Sequence, residues 1–269
     1  LGDVYKRQGW DLSPAHLAAS TSEDGGRTWS QPRQMIGMEE GSVDNVMLVS
    51  LLRAHNDDLL IAYADQTPAM QARGMMLRRS RDDGRTWSQL SRFPDHSPEP
   101  DLLELPGGEI LAYIRYQRCK LPDDPPELAT DQRLYSAPGA PMDLGQTVFQ
   151  HSAFSSSADG GKTWAPPRLV TGSAQQSGSL VRLSDGTLIM TFGRYGQRFM
   201  LSYDDGHTWG KAVYQLYQCG QYARSIVLDD DTIVTVHDNR ETWGFRGRVL
   251  RCYDNTVVSD GITDTPRQL

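Results

Sequence analysis

The chain has 269 residues, with 34 acidic against 27 basic side chains and a formal net charge of −7. That balance argues against a nucleic-acid partner, and no apolar run approaches the ~18 residues that a membrane span needs. Cys119, Cys219 and Cys252 lie far apart, without a disulfide framework or metal spacing, and the six histidines show no paired metal-ligand spacing. No phosphate loop, nucleophile elbow or redox pair occurs, so neither cofactor nor metal is expected.

In chain order, residues 1–8 fit no strand pattern and read as a non-native or disordered leader, with N-terminal strands expected to be missing. A short alternating segment (16–20) then enters the sequence Ser22-Glu23-Asp24-Gly25-Gly26-Arg27-Thr28-Trp29. The same eight-residue pattern, Ser-x-Asp-x-Gly-x-Thr-Trp, returns at 80–87, 157–164 and 202–209, preceded by alternating segments at 75–79, 151–155 and 198–201. A second repeated phrase is an apolar strand, a tight Asp/Gly turn and another apolar strand. It spans 47–64, 101–115, 179–194 and 225–238, with turns at 56–58, 106–108, 184–186 and 229–231. Two such hairpins make one four-stranded blade, and a repeat of this length predicts an all-β β-propeller. The first blade has only its second half, and the fifth lacks the box. The propeller is assigned to 9–254, with a long Pro-rich insertion at 117–150 and a C-terminal tail at 255–269.

The box has a structural explanation. Asp24, Asp82, Asp159 and Asp204 can accept turn N–H groups, and the glycine permits a positive φ. Trp29, Trp87, Trp164 and Trp209 can pack between sheets while each indole N–H finds a carbonyl. These four aspartates are therefore read as structural, not catalytic.

With this box the sequence resembles the sialidase (neuraminidase) superfamily of Asp-box propellers over residues 11–254. The resemblance implies six blades in the natural protein, an arginine triad, a Tyr–Glu pair and an Asp acid/base. It also implies a glycan substrate bearing an acidic sugar, and a secreted or periplasmic location. Several arginines suit the carboxylate of sialic acid. A neutral tyrosine can attack an anomeric carbon whose carboxylate substituent would repel a carboxylate nucleophile. The segment Gln221-Tyr222-Ala223-Arg224-Ser225-Ile226-Val227-Leu228-Asp229-Asp230 looks like the family's nucleophile strand, which implies Tyr222 as nucleophile; Ala223 stands where the family has Ser. Two blades earlier, Glu99-Pro100-Asp101-Leu102-Leu103-Glu104-Leu105-Pro106-Gly107-Gly108 runs on to Arg115, implying Glu99 as the tyrosine's base and Arg115 as a substrate arginine. Arg194, at the same phrase position as Arg115, and Arg198 are the candidates for a further arginine. Arg224 adds positive charge beside Tyr222, and Asp238 is placed to brace an arginine. Asp11 is the nearest match to the acid/base, with Asp44 second; the family's first arginine has no counterpart. The resemblance leaves two other readings open: a non-catalytic propeller that binds glycans or a protein, and a glycosidase or lyase for another acidic sugar.

Overall fold

The box turns are built from the residues that define them. In each, the Ser hydroxyl donates to the Asp Oδ1 at 2.8 Å and accepts the N–H of the second glycine position. The Thr N–H donates to the same Oδ1, and the Thr hydroxyl donates to Oδ2 at 2.6–2.7 Å. The closing glycines Gly26, Gly84, Gly161 and Gly206 have φ between 76° and 87°, which a Cβ would disfavour. The Thr hydroxyl, then the Thr N–H, are the main causes that hold Asp24, Asp82 and Asp204 down to about 2; Asp159 is lowered by the same donors.

The computed structural model describes residues 17–36, 45–66, 72–95, 97, 99–119, 133–134, 147–170, 178–193, 197–217, 221–239, 244–253 and 256–265. The expected leader and most of the expected insertion lie outside them. The described residues are all-β, and every sheet is an antiparallel meander. β1 (Leu17–Ala19) and β2 (Arg33–Ile36) pair alone, as the half blade predicts. β3 (Asn45–Arg53), β4 (Leu59–Gln66), β5 (Ala72–Ser80) and β6 (Ser88–Arg92) form the next blade. The third is built from β7 (Asp101–Glu104), β8 (Ile110–Cys119), β10 (Thr147–Ser157) and β11 (Arg168–Leu169), with β9 (Arg133–Leu134) paired to β10. The fourth contains β12 (Ser179–Arg182), β13 (Leu188–Phe192), β14 (Gln197–Ser202) and β15 (Tyr214–Tyr217). The fifth contains β16 (Gln221–Val227), β17 (Ile233–Asn239), β18 (Gly244–Tyr253) and β19 (Thr256–Thr265). The last strand corrects the expected tail: β19 completes its blade through pairing with β18, from Tyr253↔Thr256 to Phe245↔Thr265. The insertion is also shorter than 117–150, because β8 and β10 continue their ladder as far as Cys119 and Val148.

β3 packs on β7, β7 on β12 and β12 on β16, so these are the inner strands of successive blades. Apolar residues fill the gaps between blades. Leu60, Ala62 and Leu77 meet Leu102, Ile110 and Ala112; Tyr113 and Phe154 meet Leu180, Met190 and Phe192; Ile189 and Leu201 meet Ile233. Box tryptophans close the same gaps from the outer side. Trp164 packs against Phe93 with ring centroids 4.5 Å apart, and Trp209 stacks on Phe154 at 5.0 Å. Their N–H groups differ from expectation. Trp29 and Trp87 donate to the carbonyls of Gly26 and Gly84, but Trp164 donates to the Ser91 hydroxyl. Trp209 Nε1 is buried with no partner among the described residues, and the Gly206 carbonyl accepts from Arg168 instead.

Inner strands are joined by a repeated polar link. Leu102 N–H donates to Ser50 Oγ (3.3 Å), Leu180 N–H to Asp101 Oδ2 (2.9 Å), and Ser225 N–H to Ser179 Oγ (3.1 Å). The accepting residues occupy one position of the blade repeat. Ser50 pairs with Ala62, Asp101 with Tyr113 and Ser179 with Thr191, each partner twelve residues further on. In the fifth blade that position is Arg224, paired with Val236. We call it the latch position.

Candidate active site

Counting back from the latch position brings Glu99 and Tyr222 into register. Each lies two residues upstream, at the start of an inner strand, in the third and fifth blades. Each also has a left-handed backbone, with φ of 54° and 55°. The other non-glycine residues with positive φ among those described are Asp57, Asp83, Asp205 and Asp231, all in turns. Asp tolerates this region, whereas a tyrosine or glutamate there is strained and must be held by its surroundings. Around Tyr222 the device is a bulge, since the β16–β17 register shifts between Gln221 and Arg224.

Glu99 is held by Arg115. Extending the Asp101↔Tyr113 register by two residues sets Glu99 opposite Arg115, and Arg115 Nη1 donates to Glu99 Oε1 at 2.8 Å. The guanidinium is 8 % exposed and the carboxylate 19 %, so this is a mostly desolvated pair. Arg115 Nε is buried without an acceptor among the described residues. Tyr222, by contrast, is 45 % exposed.

On the same strand as Arg115 lies Tyr113, fully buried, its hydroxyl 2.9 Å from the Ser152 hydroxyl. Burial pushes its phenol far above the usual range; the Ser152 bond opposes this, Glu99 adds to it, and Arg115 and Arg224 oppose it. Three charged groups from two different blades thus act on one phenol. Arg224 Nη1 donates to the carbonyl of Gly178, at the start of the intervening blade. A Cβ at Gly178 would lie 2.3 Å from the Thr191 carbonyl oxygen and 2.8 Å from Tyr113 Cζ, so only glycine fits there.

Some expected site residues fall elsewhere. Arg198 is half-buried on β14, opposite Phe192 and Gln215, on the third strand of its blade. The backbone of Asp238 pairs with Gln221 and Phe245. Asp11, Asp44 and Arg194 lie outside the described residues. The repeat nonetheless corrects the equivalence drawn for Arg194. Arg115 lies two residues beyond Tyr113, and the residue two beyond Thr191 is Gly193, so Arg194 comes one place later. Sequence reasoning missed Tyr113, Ser152, Gly178 and Asp101. The available signal was alternation, because Tyr113 and Arg115 share a face of β8 as successive odd positions of one strand.

A second concavity lies at the hairpin end of the blades, lined by His55, Asp58, Arg79 and Glu104 among others. Its charges are matched internally: His55 N–H donates to Glu104 Oε2 at 2.6 Å, and Arg79 lies 3.8 Å from Asp58. Among the described residues no group of three or more His, Cys, Asp or Glu could hold a metal ion, and no helix is long and apolar enough to cross a membrane.

Solved structures decide the fold. A Hadza microbial sialidase superposes with a TM-score of 0.60 at 17 % identity, covering 93 % of this chain and 52 % of its own. The chain has the sialidase-type β-propeller fold. The Trypanosoma rangeli sialidase shares this propeller with a TM-score of 0.61 at 15 % identity, over 94 % of this chain and 44 % of its own. A Penicillium chrysogenum α-L-arabinanase, solved with arabinobiose, matches with a TM-score of 0.53 at 17 % identity, over 80 % and 65 %. The chain therefore spans about half the length of the solved sialidase-type propellers it matches. No protein-family model and no curated protein matches the sequence.

Proposed function

We propose that this protein is a sialidase-like exo-glycosidase that removes a terminal acidic sugar, sialic acid in the first instance, with retention of configuration. One observation carries the reading. The two residues implied as base and nucleophile, Glu99 and Tyr222, share one repeat position and one strained backbone conformation in alternate blades. In this scheme Glu99, aimed by Arg115, takes the phenolic proton as Tyr222 attacks the anomeric carbon. Asp11 protonates the leaving oxygen and then activates water. Arg115, with Arg194, supplies positive charge for the substrate carboxylate. The arabinanase-type neighbour shows that the same propeller also occurs in proteins named for neutral sugars. Arg115 and Arg224 bring positive charge from two blades to this site, which favours an acidic sugar.

The test is hydrolysis of an aryl sialoside by the wild type, Tyr222→Phe and Glu99→Gln. Loss of about 10²–10⁴-fold in kcat by both variants, with unchanged thermal unfolding, is the expected result. Wild-type turnover by Tyr222→Phe would remove the tyrosine from the mechanism. Retained affinity for a sialoside with no cleavage by the wild type would favour a binding propeller.

A further inference from the structure

We infer that Arg224 is a positioning residue for Tyr222 and does not serve mainly as a contact to substrate; this rests on the reading of Tyr222 as nucleophile. The latch position in the second, third and fourth blades holds an acceptor, Ser50, Asp101 or Ser179, that receives an N–H from the following blade. Arginine has donors only, so Arg224 cannot continue the series. Its guanidinium turns back instead. Nη1 donates to Gly178 O on the preceding blade and lies 3.4 Å from Ala223 O, the carbonyl that follows Tyr222.

One acceptor lies on the preceding blade and the other inside the bulge itself. A side chain at Gly178 would meet Thr191 O of its own blade and the Tyr113 ring of the third, so its carbonyl sits at a close contact between the two blades. Ala223 is fully buried. Arg224 thereby ties the left-handed Tyr222 to a wall whose far side is Tyr113, on the strand that carries Arg115 and, through it, Glu99. Nη1 is engaged by two carbonyls of the protein.

The experiment compares wild type, Arg224→Gln and Arg224→Lys, with two readouts. The first is kcat and KM on an aryl sialoside. The second is the fluorine NMR line of Tyr222 after incorporation of 3-fluorotyrosine, assigned with Tyr222→Phe. A positioning role predicts that Arg224→Gln lowers kcat about tenfold or more, leaves KM within about twofold, and shifts or broadens the Tyr222 line. Arg224→Lys, which keeps a donor for one carbonyl, recovers part of kcat and of the line position. A rise in KM at constant kcat would overturn the inference in favour of substrate contact. An unmoved Tyr222 line in folded Arg224→Gln would also overturn it. Should the wild type cleave no sialoside, the fluorine line still decides the positioning role, while the failure falls on the proposed activity alone.

Discussion

At the scale of single residues, the box aspartates couple folding to pH with a definite sign. Three of them have native values near 2 against an ordinary 3.8, because Thr hydroxyl and backbone donors favour the ionised form. A carboxyl whose value is depressed on folding stabilises the native state above its unfolded value, and that contribution is lost as pH falls through the folded value. The thermal midpoint should therefore fall as pH is lowered from 3.8 toward about 2. Replacing Asp82 and Asp204 with Asn should flatten that slope while lowering the midpoint at neutral pH. Thermal melts across this range check both effects, and an unchanged slope in the double variant would assign the acid sensitivity to other groups. These carboxylates were legible as structural in the sequence because all their partners lie within the same eight residues. Glu99 and Tyr222 stood out as candidates for chemistry only through resemblance. Their backbone handedness was not legible, since a bulky residue at positive φ is imposed by a bulge and by neighbouring blades, which no local pattern encodes.

At the scale of elements, the inner-strand latches have a measurable role. Asp101 accepts from Ser50 Oγ at 3.1 Å and from Leu180 N–H at 2.9 Å, joining its own blade to both neighbours. Asp101→Ala would leave a strand N–H without its acceptor and should destabilise folding by about 3 kcal/mol, measured by denaturant unfolding. A loss under about 0.5 kcal/mol would mean that solvent replaces the carboxylate. Most hairpins could be read from alternation and turn residues. β19 could not, because Asp260 and Gly261 interrupt its run of β-formers and only the ladder to β18 makes it a strand. The mistaken equivalence of Arg194 with Arg115 has a related cause. Sequence phrases align by resemblance, whereas the sheet aligns by hydrogen-bond register, and Gly193 holds the equivalent place.

At the scale of the molecule, the blades are also fastened at their outer edges, each to the next. Arg33 Nη2 donates to the Gly84 carbonyl at 2.9 Å, Ser91 Oγ to that of Gly161 at 2.5 Å, and Arg168 Nη2 to that of Gly206 at 2.6 Å. Every acceptor is a box glycine. The fifth blade has no box, and among the described residues it is joined to the fourth through β16 and through Ser184, which donates to Asp231. An array whose units contact only their neighbours opens from its least fastened unit. Amide hydrogens of β17 should therefore exchange with solvent deuterium well before those of β8 and β13, as separate steps of opening and not as one event. Where the fifth blade opens, the exposed phenol of Tyr222 is displaced while the carboxylate–guanidinium pair two blades away stays in place.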